Sequence, residues 1–340
     1  MRDLVIAGGG PVGLVTAILA ARAGLDVTVR ERRSGVIDKA CGEGLMPGAV
    51  QTLEALGIQP EGHRIAGIRY VAGDRVAEAP FRHGGGLGVR RTTLHETLLV
   101  AAAEAGVRPV VRPVGMIVDA GDHLLVDDEP TRHLVAADGL HSRVRRLAGL
   151  EDPAPGPRRF GLRAHVARAP WSDFVEVHWA AASEAYVTPV GPDLVGIAVL
   201  SSLRRPMSEH LADHPGLGAH LDGLELSPVL GAGPLRQVAS APRAGRVLLA
   251  GDASGYVDAL TGEGMAIGLA HAQAAVQAIR SGDLTSYDRA WRRIGRRHDL
   301  LTRALLGTTR VPLVRRHLVR TAALAPRVFS AVVDQLARPA

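Results

Sequence analysis

Three glycines near the start of the chain, Gly8, Gly10 and Gly13, have the spacing of a turn that binds dinucleotides. Glycines at this spacing allow a tight turn, a close backbone approach to a pyrophosphate, and close packing of a helix on a strand. Glu31 follows at the distance where an acidic side chain can accept hydrogen bonds from a ribose hydroxyl. These four residues predict a dinucleotide site.

The surrounding sequence supplies the elements that must position these groups. An apolar strand at 4–7 leads into the glycine turn, and an alanine-rich helix follows and ends near Gly24. A second strand, Asp26 to Arg30, then delivers Glu31. The first turn of the helix has unpaired N–H groups and the positive end of the helix dipole, which together favour a phosphate.

A second motif of the same order lies far downstream, in residues 246–278. A strand leads to Gly251 and Asp252, and a helix begins around Gly264. The Asp252 carboxylate can accept hydrogen bonds from a polyol such as the ribityl chain of a flavin. The helix start beside Gly264 and Met265 can stabilise the ring edge that becomes anionic on flavin reduction. An ordinary NAD dehydrogenase needs no such second site.

Composition places the chain among globular proteins of two lobes. The chain has 340 residues, of which 46% are hydrophobic, and one cysteine, Cys41, so no intrachain disulfide is possible. A reducing cytoplasm is the compartment that we expect. No export signal is predicted, and no apolar run approaches the length of a membrane span.

Positive charge is concentrated towards the C-terminus. Residues 289–340 contain twelve arginines and two acids, Asp299 and Asp334, while the whole chain has a net charge of +6. The arginines alternate with leucine, valine and alanine, which predicts helices that cover the cofactor lobe with solvated arginines. A docking face for an acidic carrier protein or an anionic membrane surface is the alternative. Nucleic acid is excluded as a partner, because no basic groove studded with aromatic residues is present.

Several other residues could do chemistry. His210 and His214 lie one helical turn apart, but no third ligand is near and Pro215 follows. A solvated surface patch is therefore favoured over a metal site, and no metal is predicted. Cys41 lies either against the flavin or buried as a small apolar residue. Core packing is favoured for Tyr186, with proton donation as the alternative.

Three motifs together resemble the class A flavoprotein monooxygenases, whose para-hydroxybenzoate hydroxylase-like superfamily also contains the geranylgeranyl reductases. The motifs are the Gly8–Glu31 fingerprint, the segment Asp138-Gly139…Ser142…Arg145, and the segment from Gly251 to Met265. The resemblance extends to about Ile279 and implies FAD held non-covalently. It implies an α/β fold in which a Rossmann-like FAD-binding domain of the glutathione-reductase type is formed by 1–62, 88–150 and 240–285. A β-sheet substrate domain (63–87 and 151–239) and C-terminal helices (286–340) complete the implied architecture.

The resemblance also implies a set of cofactor-binding residues. They are Gly8, Gly10, Pro11, Val12, Gly13, Glu31, Arg32, Arg91, Asp138, Gly251, Asp252, Gly262, Glu263, Gly264 and Met265. Arg91 resembles the arginine that begins a helix near the cofactor, and we expect Thr92 or Thr93 to cap that helix. Cys41 and Tyr186 are the candidate catalytic residues.

The motifs leave the reaction open. The leading expectation is NAD(P)H-dependent monooxygenation of a small apolar or aromatic substrate, with NAD(P)H binding transiently. The alternative is FAD-dependent reduction of isoprenoid double bonds, and a non-catalytic prenyl- or lipid-binding protein is the alternative of another class. The segments 41–45 and 260–264 favour the geranylgeranyl reductase branch, and Ala259 replaces the proline usual beside the flavin. The halogenase branch is disfavoured, because the only lysine, Lys39, lies in the cofactor region.

Overall fold

The computed structural model describes residues 1–309 and 311–337; Arg310 and residues 338–340 of the predicted C-terminal region lie outside the described residues. The strands along the described chain are β1 (Arg2–Ala7), β2 (Val27–Glu31), β3 (Gly44–Leu45), β4 (His63–Ile65), β5 (Gly67–Ala72), β6 (Arg75–Pro80), β7 (Gly86–Gly88), β8 (Val110–Val111), β9 (Ile117–Asp119), β10 (Leu124–Val126), β11 (Glu129–Ala136), β12 (Glu151–Asp152), β13 (Phe160–Ala167), β14 (Phe174–Trp179), β15 (Ser183–Gly191), β16 (Leu194–Ser201), β17 (Leu230–Ala232), β18 (Val238–Ala239), β19 (Arg243–Ala244) and β20 (Val247–Leu249). The helices are α1 (Pro11–Arg22), α2 (Pro47–Ala55), α3 (Arg91–Glu104), α4 (Arg143–Leu147), α5 (Met207–Ala212), α6 (Pro215–Leu221), α7 (Gly264–Ser281), α8 (Leu284–Thr309), α9 (Pro312–Leu324) and α10 (Pro326–Ala337).

One eight-stranded sheet contains the strands that lead into the predicted cofactor motifs. Its order is β19-β20-β11-β1-β2-β8, and the β9–β10 hairpin pairs with β11. Strands β20, β11, β1, β2 and β8 run parallel. Their register places Ala7 beside both Arg30 and Ala136, and Ala136 beside Leu249. The residues that follow these strands therefore meet at one edge of the sheet, where ligands bind in open α/β folds.

Helices α1 and α7 bring the two distant glycine motifs together. Val12 of α1 lies where the helices cross, and a Cβ atom on Gly268 would be 2.5 Å from its Cγ2 atom. A Cβ atom on Gly251 would be 3.0 Å from the same side chain. Only glycine at both positions allows this approach, which fixes the start of α1 beside the Gly251–Asp252 turn.

A seven-stranded sheet forms the second layer, in the order β17-β13-β16-β15-β14-β5-β6. Its strands come from 67–80 and 160–232, whereas those of the first sheet come from 2–31, 110–136 and 243–249. Helices α9 and α10 pack on β6, and an apolar cluster containing Trp179, Phe329 and Val333 fills the contact. Among the described helices, none has the length and apolar character that crossing a bilayer requires.

The start of α3 differs from the sequence-based prediction. Arg90 precedes the helix, and neither Thr92 nor Thr93 caps it. The Arg91 N–H instead donates to Glu43 Oε1 at 2.8 Å, so a carboxylate 48 residues away satisfies the helix N-terminus. This carboxylate also adds a negative charge at the positive end of the helix dipole, which replaces the expected local cap.

Candidate cofactor and substrate site

A cavity of about 320 Å³ lies between the two sheets and joins the predicted motifs. Its walls include ten of the predicted cofactor residues, namely Gly10, Pro11, Val12, Glu31, Arg91, Asp138, Asp252, Gly262, Gly264 and Met265. Gly8 and Arg32 line an adjoining cavity of about 1060 Å³. Gly13, Gly251 and Glu263 line neither cavity. Gly13 and Gly251 make close packing contacts, and Glu263 is buried just before α7.

The glycines of the first turn differ in what surrounds them. Gly8 has a φ of +103°, and a Cβ atom on Gly13 would lie 1.9 Å from the Gly8 carbonyl oxygen. Gly10 has a φ of −72°, and a Cβ atom there would meet only Arg91 Nη2, at 3.7 Å. Gly8 and Gly13 are therefore required by the fold, whereas Gly10 presents open backbone to the cavity.

Two side chains hold this turn from outside it. Glu31 Oε2 accepts a hydrogen bond from the Gly9 N–H at 2.8 Å, and each carboxylate oxygen keeps a lone pair that can accept from a ribose hydroxyl. His95 Nδ1 accepts from the Ile37 N–H, so its Nε2–H donates to the Gly9 carbonyl at 2.7 Å. Burial lowers the pKa of His95, which keeps this donor neutral. The sequence analysis missed His95.

Positive charge lies where a pyrophosphate would run. Arg91 lines the cavity beside Gly10, and its buried Nε atom has no hydrogen-bond partner among the described residues. Lys39 Nζ also lines the cavity and lies 3.8 Å from Asp252 Oδ2. Both cations can contact a bound diphosphate through charge-assisted hydrogen bonds.

The Asp138 carboxylate shapes its own loop. It accepts hydrogen bonds from the Ser142 hydroxyl at 2.5 Å and from the N–H groups of Arg143 and Val144. The fully buried Arg145 donates to the Ala253 carbonyl at 3.1 Å and to Gln237 Oε1 at 2.9 Å. This motif therefore ties the β11 loop to the β20 loop.

The β20 loop carries Asp252 in a short 3₁₀ turn, Gly251–Ser254. Asp252 lines the cavity and is partly exposed, so its carboxylate can reach a ribityl hydroxyl. His271 Nδ1 accepts from the Gly251 N–H at 3.3 Å, and burial lowers the pKa of His271 to about 3. This neutral histidine of α7 therefore holds the second glycine turn, as His95 holds the first. Sequence reasoning missed it too.

The far end of the cavity is apolar. Its lining comes from the seven-stranded sheet and from α10, and consists of Ile68, Tyr70, Val175, Val177, Leu200, Val333 and Leu336. Two polar side chains in this region are already paired. The Tyr186 hydroxyl donates to the Leu260 carbonyl at 3.1 Å, and Thr188 Oγ1 donates to the Gly42 carbonyl at 2.8 Å. This end can therefore accept a hydrocarbon chain.

Cys41 and Tyr186 both line this cavity. Burial raises the pKa of the Cys41 thiol, so the sulfur stays protonated at neutral pH. Beside it, Glu43 has a left-handed backbone with φ of +57°, and its Oε2 accepts from His165 Nε2 at 2.6 Å. Arg163 donates to His165 Nδ1, which fixes the proton on Nε2. This buried polar group joins the cofactor lobe to the seven-stranded sheet.

The prediction that His210 and His214 form a solvated surface patch was wrong. Both rings are buried, not solvated, because α5 and α6 pack against the seven-stranded sheet. His214 Nε2 lies 3.0 Å from the Ser183 hydroxyl, and burial lowers the pKa of His214 to about 4. No cluster of potential metal ligands occurs among the described residues.

The geometry fits FAD. The starts of α1 and α7 have no side-chain cap, and residues at both starts line the same cavity. Open glycine backbone, Arg91 and Asp252 line it as well. A dinucleotide with a central pyrophosphate and a distal ring that gains negative charge needs both of these positive ends.

Comparisons with known proteins agree with this assignment. A family model described as an FAD-binding domain matches residues 1–106. The menaquinone reductase of Mycolicibacterium smegmatis is 28% identical over 326 residues, 85% of this chain and 79% of that protein. The digeranylgeranylglycerophospholipid reductase 2 of Methanopyrus kandleri is 28% identical over 84% of this chain and 79% of its own.

Solved structures share the fold. A geranylgeranyl bacteriochlorophyll reductase-like protein from Thermoplasma acidophilum superposes with a TM-score of 0.74 at 20% identity, covering 98% of this chain and 99% of that one. The Diels-Alderase of pyrroindomycin biosynthesis gives a TM-score of 0.79 at 23% identity, over 99% and 80%. The resemblance predicted from the three motifs is thereby confirmed, and so is FAD as the cofactor. The chain is an FAD-dependent oxidoreductase with the fold that flavoprotein monooxygenases, flavin-dependent halogenases and geranylgeranyl reductases share.

Proposed function

We propose that this enzyme reduces carbon–carbon double bonds of an isoprenoid substrate, with NAD(P)H as the transient reductant of FAD. The observation that carries the proposal is the apolar end of the cavity, which continues from the Thr261–Met265 turn to α10. The names of two relatives specify a menaquinone reductase and a digeranylgeranylglycerophospholipid reductase, and geranylgeranyl chains are isoprenoid.

The wall of this end supports a long hydrocarbon over a polar aromatic substrate. Valine, leucine and isoleucine side chains of β5, β14 and β16 line it together with Val333 and Leu336 of α10. Because Tyr186 and Thr188 already donate to backbone carbonyls, they offer no hydroxyl proton for a substrate oxygen. Transfer of a polyene from water into such a site costs no hydrogen bond, whereas a polar group without a partner there would lose its hydration.

Reduction of one double bond adds a hydride to one carbon and a proton to the other. Bound FAD would supply the hydride, after two-electron reduction by a nicotinamide cofactor. Cys41 is our candidate for the proton, because it lines the cavity as a protonated thiol and the Tyr186 proton is engaged with Leu260. Arg91 and Arg163 stabilise the thiolate left behind and the Glu43 carboxylate opposes it, until a proton from solvent replaces the one transferred.

The test is anaerobic turnover. Purified enzyme, a geranylgeranyl lipid in detergent and NADPH or NADH are incubated without oxygen, and product mass is followed. We expect a gain of two hydrogen atoms per reduced bond, and Cys41→Ser should slow this step while retaining FAD absorbance. A product that contains oxygen and forms only in air would overturn the proposal in favour of monooxygenation. Protein that neither carries FAD nor can be reconstituted with it would indicate a binding protein.

Monooxygenation of a small aromatic substrate stays a prediction from the motifs. The p-nitrophenol 4-monooxygenase structure, at 19% identity and a TM-score of 0.74, shares the fold and carries no further argument. A cytoplasmic location, inferred from the single cysteine, belongs to the same proposal.

A further inference from the structure

The C-terminal helices expose apolar side chains more fully than the rest of the described chain beyond Met1. Leu324 is 76% exposed, Leu300 70%, Leu313 68% and Val328 65%. Single exposed leucines need no explanation, but four within 29 residues, beside exposed arginines, indicate a surface with a partner. We name these four residues, with Arg320 and Arg327, the Arg–Leu surface.

Helix geometry places these side chains on outward faces. In α9, Leu313, Arg320 and Leu324 follow at spacings of seven and four residues, which put them on one stripe. Val319, on another face of the helix, is buried in the cluster that packs on β6. In α10, Arg327, Val328 and Val332 are exposed, whereas Phe329, Val333 and Leu336 are buried. Both helices are therefore amphipathic and expose an apolar and basic side.

The charge of this surface has one sign. Arg303, Arg320 and Arg327 are exposed. Within the described residues of 300–337, the only acid is Asp334, which is buried and lies 3.1 Å from Arg82 Nε. The described side chains of 300–337 therefore present arginine beside leucine and valine and no exposed carboxylate, and Asp299, the other acid of this region, directly precedes Leu300 in the sequence.

We propose that the Arg–Leu surface docks on an anionic lipid surface. Leucine and valine enter the boundary between headgroups and acyl chains, while arginine contacts lipid phosphates. An acidic carrier protein would pair with the arginines but has no evident use for four protruding apolar side chains. The bilayer satisfies both kinds of residue.

Docking would also bring the bilayer to the apolar end of the cavity. The buried side of α10 contributes Val333 and Leu336 to the cavity wall, and the exposed side of the same helix carries Val328. One helix therefore separates the cavity from the docked surface. The docking proposal does not rest on the proposed reaction, since it follows from exposure and charge alone.

The test is sedimentation of FAD-loaded enzyme with vesicles. Vesicles of equal parts phosphatidylglycerol and phosphatidylcholine are compared with phosphatidylcholine alone, and partition coefficients are measured from the flavin absorbance. We expect binding to the anionic vesicles that weakens as NaCl is raised. Arg320→Gln with Arg327→Gln should lower the partition coefficient about 30-fold, from about fivefold per charge. Leu313→Gln with Leu324→Gln should lower it about tenfold or more.

Matched controls are Val100→Gln and Arg108→Gln, which change an exposed valine and an exposed arginine on or beside α3. Both should bind vesicles like the unmodified enzyme, and every variant should keep its FAD absorbance and melting temperature. Equal loss in the controls, or no loss in the leucine variant, overturns the proposal. The proposal is also overturned if the enzyme does not bind the anionic vesicles but does bind an acidic acyl carrier protein. None of these outcomes depends on turnover, so the proposed reaction is tested separately.

Discussion

Gly10 offers the sharpest test of how this enzyme holds FAD. Its backbone φ of −72° suits alanine, and the nearest atom to an added Cβ is Arg91 Nη2, at 3.7 Å. Gly10→Ala should therefore leave the apoprotein as stable as before, or more stable by a few tenths of a kcal/mol. The methyl group would nevertheless occupy the space through which a pyrophosphate reaches the backbone N–H groups of α1.

We expect Gly10→Ala to weaken the binding of FAD. A phosphate oxygen must come to about 2.9 Å from an N–H donor, and a methyl group in that path costs about 2 kcal/mol by overpacking. This corresponds to an FAD dissociation constant raised about 30-fold. Deflavinated enzyme is titrated with FAD by fluorescence, and thermal unfolding of the apoprotein is measured in parallel.

Two further variants make the result decisive. Gly13→Ala should unfold or strongly destabilise the apoprotein, because its Cβ would lie 1.9 Å from the Gly8 carbonyl oxygen. Gly295→Ala, which meets no atom within 4 Å, should change neither FAD affinity nor fold. Wild-type FAD affinity in Gly10→Ala would refute the path assigned to the pyrophosphate. Destabilisation of that apoprotein to the level of Gly13→Ala would refute the distinction between the two glycines.

Three other predictions follow from buried polar groups. His271 stays neutral in the fold to about pH 3 but is protonated below about pH 6.5 when unfolded, so stability declines as pH falls through that window. At pH 5 the free energy of unfolding should be about 2 kcal/mol lower for this reason, and urea unfolding of His271→Gln should not show this decrease. Arg145→Met should cost about 3 kcal/mol or more in the same assay, since Glu151 and Gln237 lose their partner. Tyr186→Phe should cost about 1 kcal/mol for the bond to Leu260; a far larger loss of turnover than of stability would assign Tyr186 to catalysis.

The elements around the cofactor could be predicted from sequence because their signals are local. Glycine spacing, an apolar strand before it and a helix after it occur within about 30 residues at each motif. Parallel strands that end at one edge then bring Glu31, Asp138 and Asp252 together without further information.

The groups that hold these turns in place have no local signal. His95 contacts Gly9, which lies 86 residues earlier in the sequence. The sequence of its own helix does not distinguish it from the other polar residues there. Glu43 caps α3 from a backbone conformation that non-glycine residues rarely adopt, while Thr92 and Thr93 offered a local alternative that the fold does not use. Likewise, His210 and His214 read as surface residues, because only the packing of α5 and α6 on the sheet buries them.

The place of β20 in the sheet has a consequence for synthesis of the chain. Until about residue 249 has left the ribosome, the edge of β11 that β20 later covers stays unpaired. The nascent protein must therefore carry an open β-edge from about residue 136 to about residue 249, roughly a third of its translation, at a stage when Asp252 and α7 do not yet exist. Capture of FAD is accordingly a late event, because Asp252 and α7 follow the strand that closes this edge.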